Sequence, residues 1–263
     1  MQKRHIDRSI YFMESSNTSR EFYIPYIERF KKVLGGDRVL EIGCGEGGNL
    51  FPFVQRGCRV AGIDIAQTRI VQARNFFIEN HCQGTFRCGD FLKDPVPEQE
   101  TDKYDIILLH DVIEHIADKQ AFLSHIRGFL KKKGILFVAF PAWQMPFGGH
   151  QQICKSRIFS KIPFIHLLSY SWYTFFLRHV AKENVDTVRE LLYIKRCGTS
   201  VEKFEQTVKV CPLHILNRQL WLVNPHYKQK FNLQPIKLSP FLSNIRCLRD
   251  YFSTSCFYLL SAD

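Results

Sequence analysis

The sequence contains no C-x-x-C pair, although it has nine cysteines. Structural zinc sites are usually built from closely spaced cysteine or histidine pairs, so a site of that kind is not expected. The cysteine count is odd, and the chain is longer than the small secreted domains that depend on disulfides. We therefore predict free thiols, which are typical of a reducing cytoplasm.

Long apolar runs are also missing. The uncharged aromatic stretch 162–177 is shorter than the roughly 20 residues that span a bilayer, and it contains Pro163 and His166. The first ten residues carry charge but lack the apolar segment of a signal peptide. We expect no transmembrane span and a cytoplasmic location, while contact with a membrane surface stays open.

Acidic residues are scarce in the second half of the chain. Residues 121–263 contain 20 Lys and Arg but 7 Asp and Glu, whereas residues 1–120 contain 16 and 18. A basic surface could face an acidic small molecule, an anionic membrane or nucleic acid, and it could equally be a solvated face. Because no RNA-binding module is recognisable, nucleic acid is not the favoured partner.

The most informative segment that is present lies between residues 38 and 64. A short apolar run at 38–42 indicates a buried strand, and the next apolar run ends at Asp64. Between them, three glycines have G-x-G-x-x-G spacing: Gly43, Gly45 and Gly48. Such a turn brings the backbone close to a ligand, and an acid at the end of the next strand can meet a ribose. The segment predicts a site for a nucleotide-like cofactor.

Two acids in this segment indicate the charge of that cofactor. Glu41 lies two residues before the first glycine, and Glu46 lies inside the turn. A pyrophosphate is negatively charged and would be repelled by both carboxylates, whereas a cationic ligand would be attracted. S-adenosylmethionine has no phosphate and carries a sulfonium and an ammonium group. Glu46 could also be a first-turn acid favoured by the helix dipole.

Further motifs in the same order extend over about the first half of the chain. They are V-L-E-I-G-C-G-E-G (39–47), G-I-D-I-A (62–66), C-G-D-F (88–91), Y-D-I-I-L-L-H-D-V-I-E-H-I (104–116) and K-K-K-G-I-L-F-V-A-F-P (131–141). Together these segments resemble the class I (Rossmann-like) S-adenosylmethionine-dependent methyltransferases, and the V-I-E-H block is most similar to the ubiquinone/menaquinone-type small-molecule enzymes.

The resemblance implies S-adenosylmethionine as the cofactor and a role for each matched residue. Gly43 and Gly45 would let the backbone touch the methionine part, with Glu41 on the side of its ammonium group. Asp64 would accept hydrogen bonds from both ribose hydroxyls.

Four more residues are implied at the adenine and sulfonium ends of the cofactor. Ile65 would pack on the adenine ring, and Asp90 would meet its amino group. Phe91 would lie beside Asp90, although packing in the core is an equal alternative for this ring. His110, at the end of the fourth strand, would line the sulfonium end.

The expected chemistry is an in-line displacement at the sulfonium methyl, which needs a base when the acceptor is a hydroxyl. Two segments that follow predicted strands could supply it: H-D-V-I-E-H (110–115) and W-Q-M-P-F-G-G-H-Q (143–151). We predict His150 as the general base, because two glycines give its loop mobility, and Asp111 as the second catalytic residue. A surface-loop histidine is the alternative for His150.

The same two segments also contain residues that could bind a metal ion. Asp111, Glu114 and His115 form D-x-x-E-H, and His150 could complete a set of oxygen and nitrogen ligands. A similar set occurs in the small-RNA 2′-O-methyltransferases, which use a divalent metal. Their first residue is Glu, however, and their adjacent second histidine is replaced here by Ile116. Because V-I-E-H is also common in metal-free relatives, we predict no metal.

The order of segments predicts one α/β domain with a doubly wound, mostly parallel, seven-stranded Rossmann-like sheet. We divide it into an N-terminal helical cap (1–35), a cofactor-binding core (36–141), a helical substrate cover inserted after the fifth strand (142–197) and the C-terminal part of the sheet (198–263). Helices are predicted over 17–34 and from Lys119 to Lys133. The predicted strands are 38–43, 58–63, 84–88, 104–110, 134–140, 213–223 and 256–260.

The predicted function is methyl transfer from S-adenosylmethionine to a small-molecule acceptor, with oxygen favoured over nitrogen or carbon. The tetrad that amino-group methylators carry after the fourth strand is absent, since His110 to Ile113 occupy those positions. The aromatic segment 159–177 could cover an apolar or aromatic ring, and nearby basic residues could hold an acidic group. The alternatives are an RNA 2′-O-methyltransferase with a divalent metal and a methyltransferase of lipids or quinones at a membrane surface.

Overall fold

A computed structural model describes residues 8–262, which fold around one central sheet. The strands are β1 (Arg38–Ile42), β2 (Arg59–Asp64), β3 (Thr85–Cys88), β4 (Tyr104–His110), β5 (Leu130–Phe140), β6 (His214–Val223), β7 (Ile236–Lys237) and β8 (Ser255–Ser261). The α-helices are α1 (Arg8–Thr18), α2 (Ile24–Ile27), α3 (Phe51–Gln55), α4 (Gln67–Glu79), α5 (Lys119–Phe129), α6 (Tyr170–Phe175), α7 (Val185–Cys197), α8 (Val201–Lys209), α9 (His226–Phe231), α10 (Pro240–Asn244) and α11 (Arg246–Phe252).

The sheet has the order β3-β2-β1-β4-β5-β8-β6-β7. Strands β1 to β5 pair in parallel, and β8 runs antiparallel between β5 and β6. This confirms the doubly wound, mostly parallel Rossmann-like sheet, with one correction. Within residues 8–262 the sheet has eight strands rather than seven, because β7 pairs with β6 at Trp221 and Val223. A strand of two residues is too short to leave an alternating pattern in the sequence.

Helices cover both faces of the sheet, so that the core has two layers. Alternate residues of a strand point to opposite faces, and β1 shows this directly. Leu40 and Ile42 pack in the layer that contains α5 and α8, whereas Val39 packs in the layer that contains α1, α3 and α4. The carboxyl ends of β1, β2 and β4 therefore meet at one edge, where open α/β sheets bind their ligands.

The segment 142–197 contains a small hydrophobic core of its own. Its α-helices are α6 and α7, and the side chains of Tyr173, Leu177 and Leu191 are fully buried among one another. The ammonium group of Lys195 donates hydrogen bonds to the carbonyl oxygens of His166 and Leu168, at 2.6 and 2.8 Å. These contacts fix the irregular first part of the segment 142–197 to α7.

Two predicted helix boundaries were wrong. The first helical segment starts at Arg8 and ends at Ile27, with a π-helical turn at Ser19–Tyr23, instead of running over 17–34. The later helix ends at Phe129 rather than Lys133, because Leu130 pairs with Tyr104 of β4. Strand pairing therefore prevails over helix propensity at the lysine triplet.

The cysteines agree with the expectation from the sequence. All nine lie in the described part of the chain, and each is a free thiol. Across residues 8–262, moreover, none of the helices has both the length and the apolar character needed to span a bilayer.

Candidate functional site

The loop after β1 is a tight glycine turn that only glycine can form at its first position. Gly43 and Gly45 have φ values of +72° and +51°, which L-residues rarely adopt. The backbone N–H groups of Gly43 and Cys44 donate to the carbonyl oxygen of Ile63, at 2.8 and 3.1 Å. A Cβ atom on Gly43 would lie 2.3 Å from Cγ2 of Val112, so the turn packs directly against the loop after β4.

Asp64 ends β2 beside this turn and is held by backbone groups. Its Oδ2 accepts a hydrogen bond from the N–H of Gly45 and its Oδ1 one from the N–H of Ala66, both at 2.8 Å. Each carboxylate oxygen has a second lone pair, so the side chain can still accept two hydroxyl donors. The next side chain, Ile65, is 81% exposed and presents an apolar surface at the same edge.

Glu41 is the most deeply placed acid of the site. Its side chain is 1% exposed, and its Oε1 accepts a hydrogen bond of 2.7 Å from Nδ2 of Asn49. Its Oε2 is buried without a hydrogen-bond partner among the described residues. Burial, and then the nearby charges of Asp64 and Glu46, raise the pKa of Glu41 to about 8, against the partial opposing effect of the Asn49 hydrogen bond.

The N-terminal helix α1 packs against the glycine turn. Arg8 Nη1 lies 3.3 Å from Oε1 of Glu46, whose side chain is buried in the turn. A Cβ atom on Gly48 would lie 2.5 Å from the carbonyl oxygen of Phe12. The third glycine of the motif is therefore required by the close approach of α1.

Asp90 and Phe91 follow β3 and lie in different environments. Asp90 is exposed and caps a short turn, since its Oδ1 accepts a hydrogen bond of 3.1 Å from the N–H of Leu92. The Phe91 ring is buried, with its centroid 4.7 Å from that of Phe129 and 5.1 Å from that of His125. The structure thus places Phe91 in the core layer below the edge, and its contact with adenine stays a prediction.

His110 and Asp111 lie at the carboxyl end of β4 under a buried tyrosine. His110 Nε2 is 3.6 Å from Oδ2 of Asp111, and the ring centroids of His110 and Tyr23 are 5.4 Å apart. Asp111 has a φ of +52°, in the left-handed region, and its side chain is half exposed. Burial, followed by the charge of Asp111, raises the pKa of Tyr23 well above its usual value.

The loops after β4 and β5 bring Glu114, His115 and His150 together. One potential ligand atom from each lies within 4.8 Å of the others. The ring centroids of the two histidines are 5.0 Å apart. Both carboxylate oxygens of Glu114 are buried without a hydrogen-bond partner among residues 8–262. Asp111, the first residue of the D-x-x-E-H motif, is not part of this group.

The protonation of this cluster follows from its burial. Burial, then the neighbouring His115, lowers the pKa of His150 to about 4. Burial also lowers the pKa of His115 and raises that of Glu114 well above its ordinary value, with the charge of Asp111 as the second cause in the latter case. At neutral pH both imidazoles are uncharged, so His150 has a free lone pair that can accept a proton.

Two residues near these groups were not predicted from the sequence. Asn49, which holds Glu41, follows the last glycine of the motif, and that position is the signal that could have found it. Tyr227 of α9 lies close enough to Asp111 that burial and this charge raise its pKa. Tyr227 lies 116 residues after Asp111, in a segment without a recognisable motif, so the sequence contains no signal for it.

The residues at the glycine turn fit a cationic cofactor. The unpartnered oxygen of Glu41 could accept a hydrogen bond from an ammonium group, Asp64 could accept from two hydroxyls, and Ile65 could pack on a flat ring. The cluster of Glu114, His115 and His150 offers one carboxylate and two imidazoles, a donor set that could hold a divalent ion.

Comparison with known families and proteins agrees with this geometry. A family model described as "Methyltransferase domain" matches residues 40–136. The ubiquinone biosynthesis O-methyltransferase of Rhodopseudomonas palustris (strain HaA2) is 37% identical over 107 residues, which are 40% of this chain and 40% of that protein. The enzyme of the same name from Bartonella tribocorum is 32% identical over 123 residues, 45% and 49% of the two chains. The chain thus spans less than half the length of these curated relatives.

Solved structures extend the likeness of the fold to most of the chain. A putative sarcosine dimethylglycine methyltransferase from Galdieria sulphuraria has a TM-score of 0.59 at 16% identity and covers 92% of this chain and 84% of its own. Magnesium protoporphyrin IX methyltransferase from Synechocystis PCC 6803 with bound SAH has a TM-score of 0.55 at 14% identity, with 95% and 84% covered. At such identities the likeness concerns the fold alone.

Proposed function

Since residues 40–136 form a class I, Rossmann-like methyltransferase domain that resembles the ubiquinone-type enzymes, we propose that this chain transfers a methyl group from S-adenosylmethionine to an oxygen atom of a small-molecule acceptor. The observation that carries the proposal is the carboxyl of Glu41. It is buried beside the glycine turn, one of its oxygens has no partner among the residues that the structure describes, and its pKa is raised to about 8. A cationic ligand would restore the missing interaction, whereas a pyrophosphate would not.

In this proposal, different residues at the glycine turn bind different parts of the cofactor. Glu41 accepts a hydrogen bond from the ammonium group, and the backbone at Gly43 and Gly45 lies against the methionine part. Asp64 accepts from the ribose hydroxyls with the lone pairs that its backbone contacts leave free. Ile65 covers the adenine ring, and the exposed Asp90 accepts from its amino group.

The reaction needs alignment, exclusion of water and one proton acceptor. The sulfonium group of the cofactor supplies an activated methyl. The rings of His110 and Tyr23 pack at the end of β4, and α1 contacts the glycine turn through Arg8 and Glu46. His150, uncharged at neutral pH, accepts the proton of the acceptor hydroxyl. Asp111, beside His110, is the second catalytic residue of this proposal.

The acceptor lies under the cover 142–197 in this proposal. The matched relatives are named as O-methyltransferases of ubiquinone biosynthesis, which favours a hydroxyl on an aromatic ring as the acceptor. The cover supplies aromatic side chains. The cofactor core 36–141 supplies Glu114 and His115, which lie beside the proton acceptor His150. The division into cap, core, cover and C-terminal sheet is part of the same proposal, as is a cytoplasmic location.

A membrane-borne acceptor is a second candidate, favoured by the surface of the cover. The apolar side chains of Ile158 and Trp172 in this segment are 79% and 61% exposed. Three exposed basic residues lie in the same segment: Lys155, Arg157 and Lys161. Apolar side chains flanked by cations suit the interface of an anionic bilayer, where a lipid-borne phenol would be reached.

Calorimetry tests the cofactor, and labelled transfer tests the acceptor. S-adenosylhomocysteine is expected to bind, and NAD is expected not to bind. Tight binding of NAD without binding of S-adenosylhomocysteine would overturn the proposal. A mass-shift screen of a metabolite extract with labelled cofactor should then yield a product heavier by one methyl on oxygen. Methylation of total RNA without any metabolite product would instead favour the RNA alternative.

Vesicle flotation separates the two acceptor candidates. Binding to vesicles with anionic lipid, lost when Lys155, Arg157 and Lys161 are changed to glutamine, supports the membrane-borne acceptor. A matched set of exposed lysines elsewhere serves as the control: Lys32, Lys93 and Lys209. Equal binding by both triple variants, or no binding by the original chain, leaves the acceptor among freely dissolved molecules.

A further inference from the structure

A second concave site lies at the opposite end of the sheet from the glycine turn. It has a volume of about 740 Å³ and is open at the amino ends of β1, β2 and β4. Three arginines line it, and we call it the arginine cavity: Arg38, Arg59 and Arg74. The rest of its wall is mainly apolar or aromatic, with contributions from Val60, Ala61, Ile78 and Tyr104.

Strand pairing brings two of the guanidinium groups to one face. Arg38 is the first residue of β1, Arg59 is the first residue of β2, and the two are direct partners in the parallel register. Partner residues of neighbouring strands point to the same face of the sheet. The third arginine comes from α4. Arg74 donates from Nε and Nη2 to the carbonyl oxygen of Phe86, at 3.2 and 2.5 Å, and so lies fixed along the edge strand β3.

These arginines lack the acidic partners that most buried or clustered arginines have. Within residues 8–262 no ion pair is formed by Arg38, Arg59 or Arg74, and none of the described residues that line the cavity is acidic. Nε of Arg38 is buried and finds no hydrogen-bond partner in the described part of the chain, and its guanidinium carbon lies 5.3 Å from the centroid of the Tyr104 ring. An unpaired buried donor of this kind is costly unless a ligand satisfies it.

We propose that the arginine cavity binds a phosphorylated small molecule with an apolar body. The guanidinium fork matches phosphate oxygens in pairs, and three cations that have no acidic partner among the described residues would together neutralise a phosphate dianion. The apolar wall would hold the rest of the molecule, and the volume is within the range of small-molecule sites. Strands of five and six residues separate this cavity from the glycine turn by roughly 15–20 Å, so the site is distinct from that of the cofactor.

Calorimetry with two phosphate probes tests the proposal on the whole chain. Phenyl phosphate is expected to bind more tightly than inorganic phosphate, because only the former reaches the apolar wall. Its affinity should fall as sodium chloride is raised, since the attraction is electrostatic. The double variant Arg59→Gln/Arg74→Gln should weaken binding by roughly tenfold or more. Arg189→Gln, which removes an exposed arginine of α7, is the matched control and should leave binding unchanged.

The single variant Arg59→Gln distinguishes a loss of binding from a loss of folding. This side chain is exposed, and its guanidinium makes one long contact of 3.4 Å to the carbonyl oxygen of Gly36. Weakened phenyl phosphate binding by this variant, with an unchanged circular dichroism spectrum, supports the proposal. Absence of binding by the original chain, or equal binding by both arginine variants and the control, overturns it. Equal affinity for the two probes overturns the assignment of an apolar body.

Discussion

Nδ2 of Asn49 donates a hydrogen bond of 2.7 Å to one oxygen of Glu41, whereas the other oxygen is buried and has no partner within residues 8–262. An amide cannot neutralise a carboxylate, so the site as folded disfavours the charged form of Glu41, and its pKa is raised to about 8. This pair makes the glycine turn selective for a cation, and it yields two predictions that concern stability and proton release.

The variant Glu41→Gln should stabilise the ligand-free protein at alkaline pH. The folded pKa of about 8 lies above the usual value of 4.5, so the stabilisation provided by protonated Glu41 is complete below pH 4.5 and is lost as the pH rises through 8. Chemical denaturation at both pH values measures the unfolding free energy of the variant minus that of the original chain. This difference should be larger at pH 8 than at pH 5 by about 1–3 kcal/mol. Glu79→Gln, an exposed position on α4, should show no such growth.

Binding of S-adenosylhomocysteine should release up to one proton at pH 7. Glu41 is largely protonated before binding, and the ammonium group of the ligand favours its ionised form. Calorimetry in buffers of different ionisation enthalpy measures this release directly. The variant Glu41→Gln should bind at least tenfold more weakly and without proton release. Equal proton release by the variant would show that another group titrates.

The substitution Gly43→Ala should be more destabilising than Gly36→Ala. Both glycines have positive φ, which costs an alanine about 1 kcal/mol, but a Cβ on Gly36 meets no atom within 4 Å. On Gly43 the new atom would lie 2.3 Å from Val112 Cγ2. We expect a further loss of about 1–3 kcal/mol for Gly43→Ala in chemical denaturation. The additional change Val112→Ala should recover part of it; equal costs at the two glycines would contradict the contact.

Replacement of His150 by asparagine should reduce kcat by about 10²–10⁴-fold, with little change in the affinity for S-adenosylhomocysteine. Asparagine tolerates the φ of +56° at this position, so the loop should be retained. Because burial lowers the pKa of His150 to about 4, the base stays deprotonated as the pH falls through 6.5. The acid limb of kcat/KM should therefore lie nearer pH 4 than pH 6.5.

His214→Asn, at an exposed position of β6, is the control for this test. It should leave both kcat and the pH profile unchanged. An acid limb near pH 6.5 that His150→Asn does not abolish would place the proton acceptor elsewhere.

Chelation should leave methyl transfer unchanged. The predicted reaction uses a base and a charged leaving group, neither of which requires a metal ion. Activity is measured after treatment with a chelator and dialysis. Loss of activity, restored by a divalent ion in the original chain but not in Glu114→Gln, would show that the cluster of Glu114, His115 and His150 works as a metal site.

Most of the sheet was predictable from the sequence, because buried parallel strands are short apolar runs and their order follows from right-handed crossovers. The lysine triplet 131–133 caused the predicted helix to extend beyond its end at Phe129, because its charges suit a helix end as well as a solvated strand. The strand Ile236–Lys237 could not be predicted, because pairing to β6 alone defines it.

The site was predictable only where one motif contains both partners of a contact. Asp64 and Gly45 lie in the same strand-turn-strand unit, and they do meet. The approach of Arg8 to Glu46, and of Tyr227 to Asp111, depends on how distant helices pack over the edge. The pKa directions of Glu41 and His150 depend on burial, which only the folded chain defines.

The position of β8 has a consequence for the order of events during synthesis. Strands β6 and β7 join the sheet through β8, which is made after both of them. Until residues 255–261 leave the ribosome, β5 therefore presents an unpaired edge of apolar residues, from Ile135 to Phe140. Such an edge is prone to pair with other chains. We expect the nascent chain to depend on chaperones until β8 inserts, even though the cofactor-binding segment has been complete for more than a hundred residues.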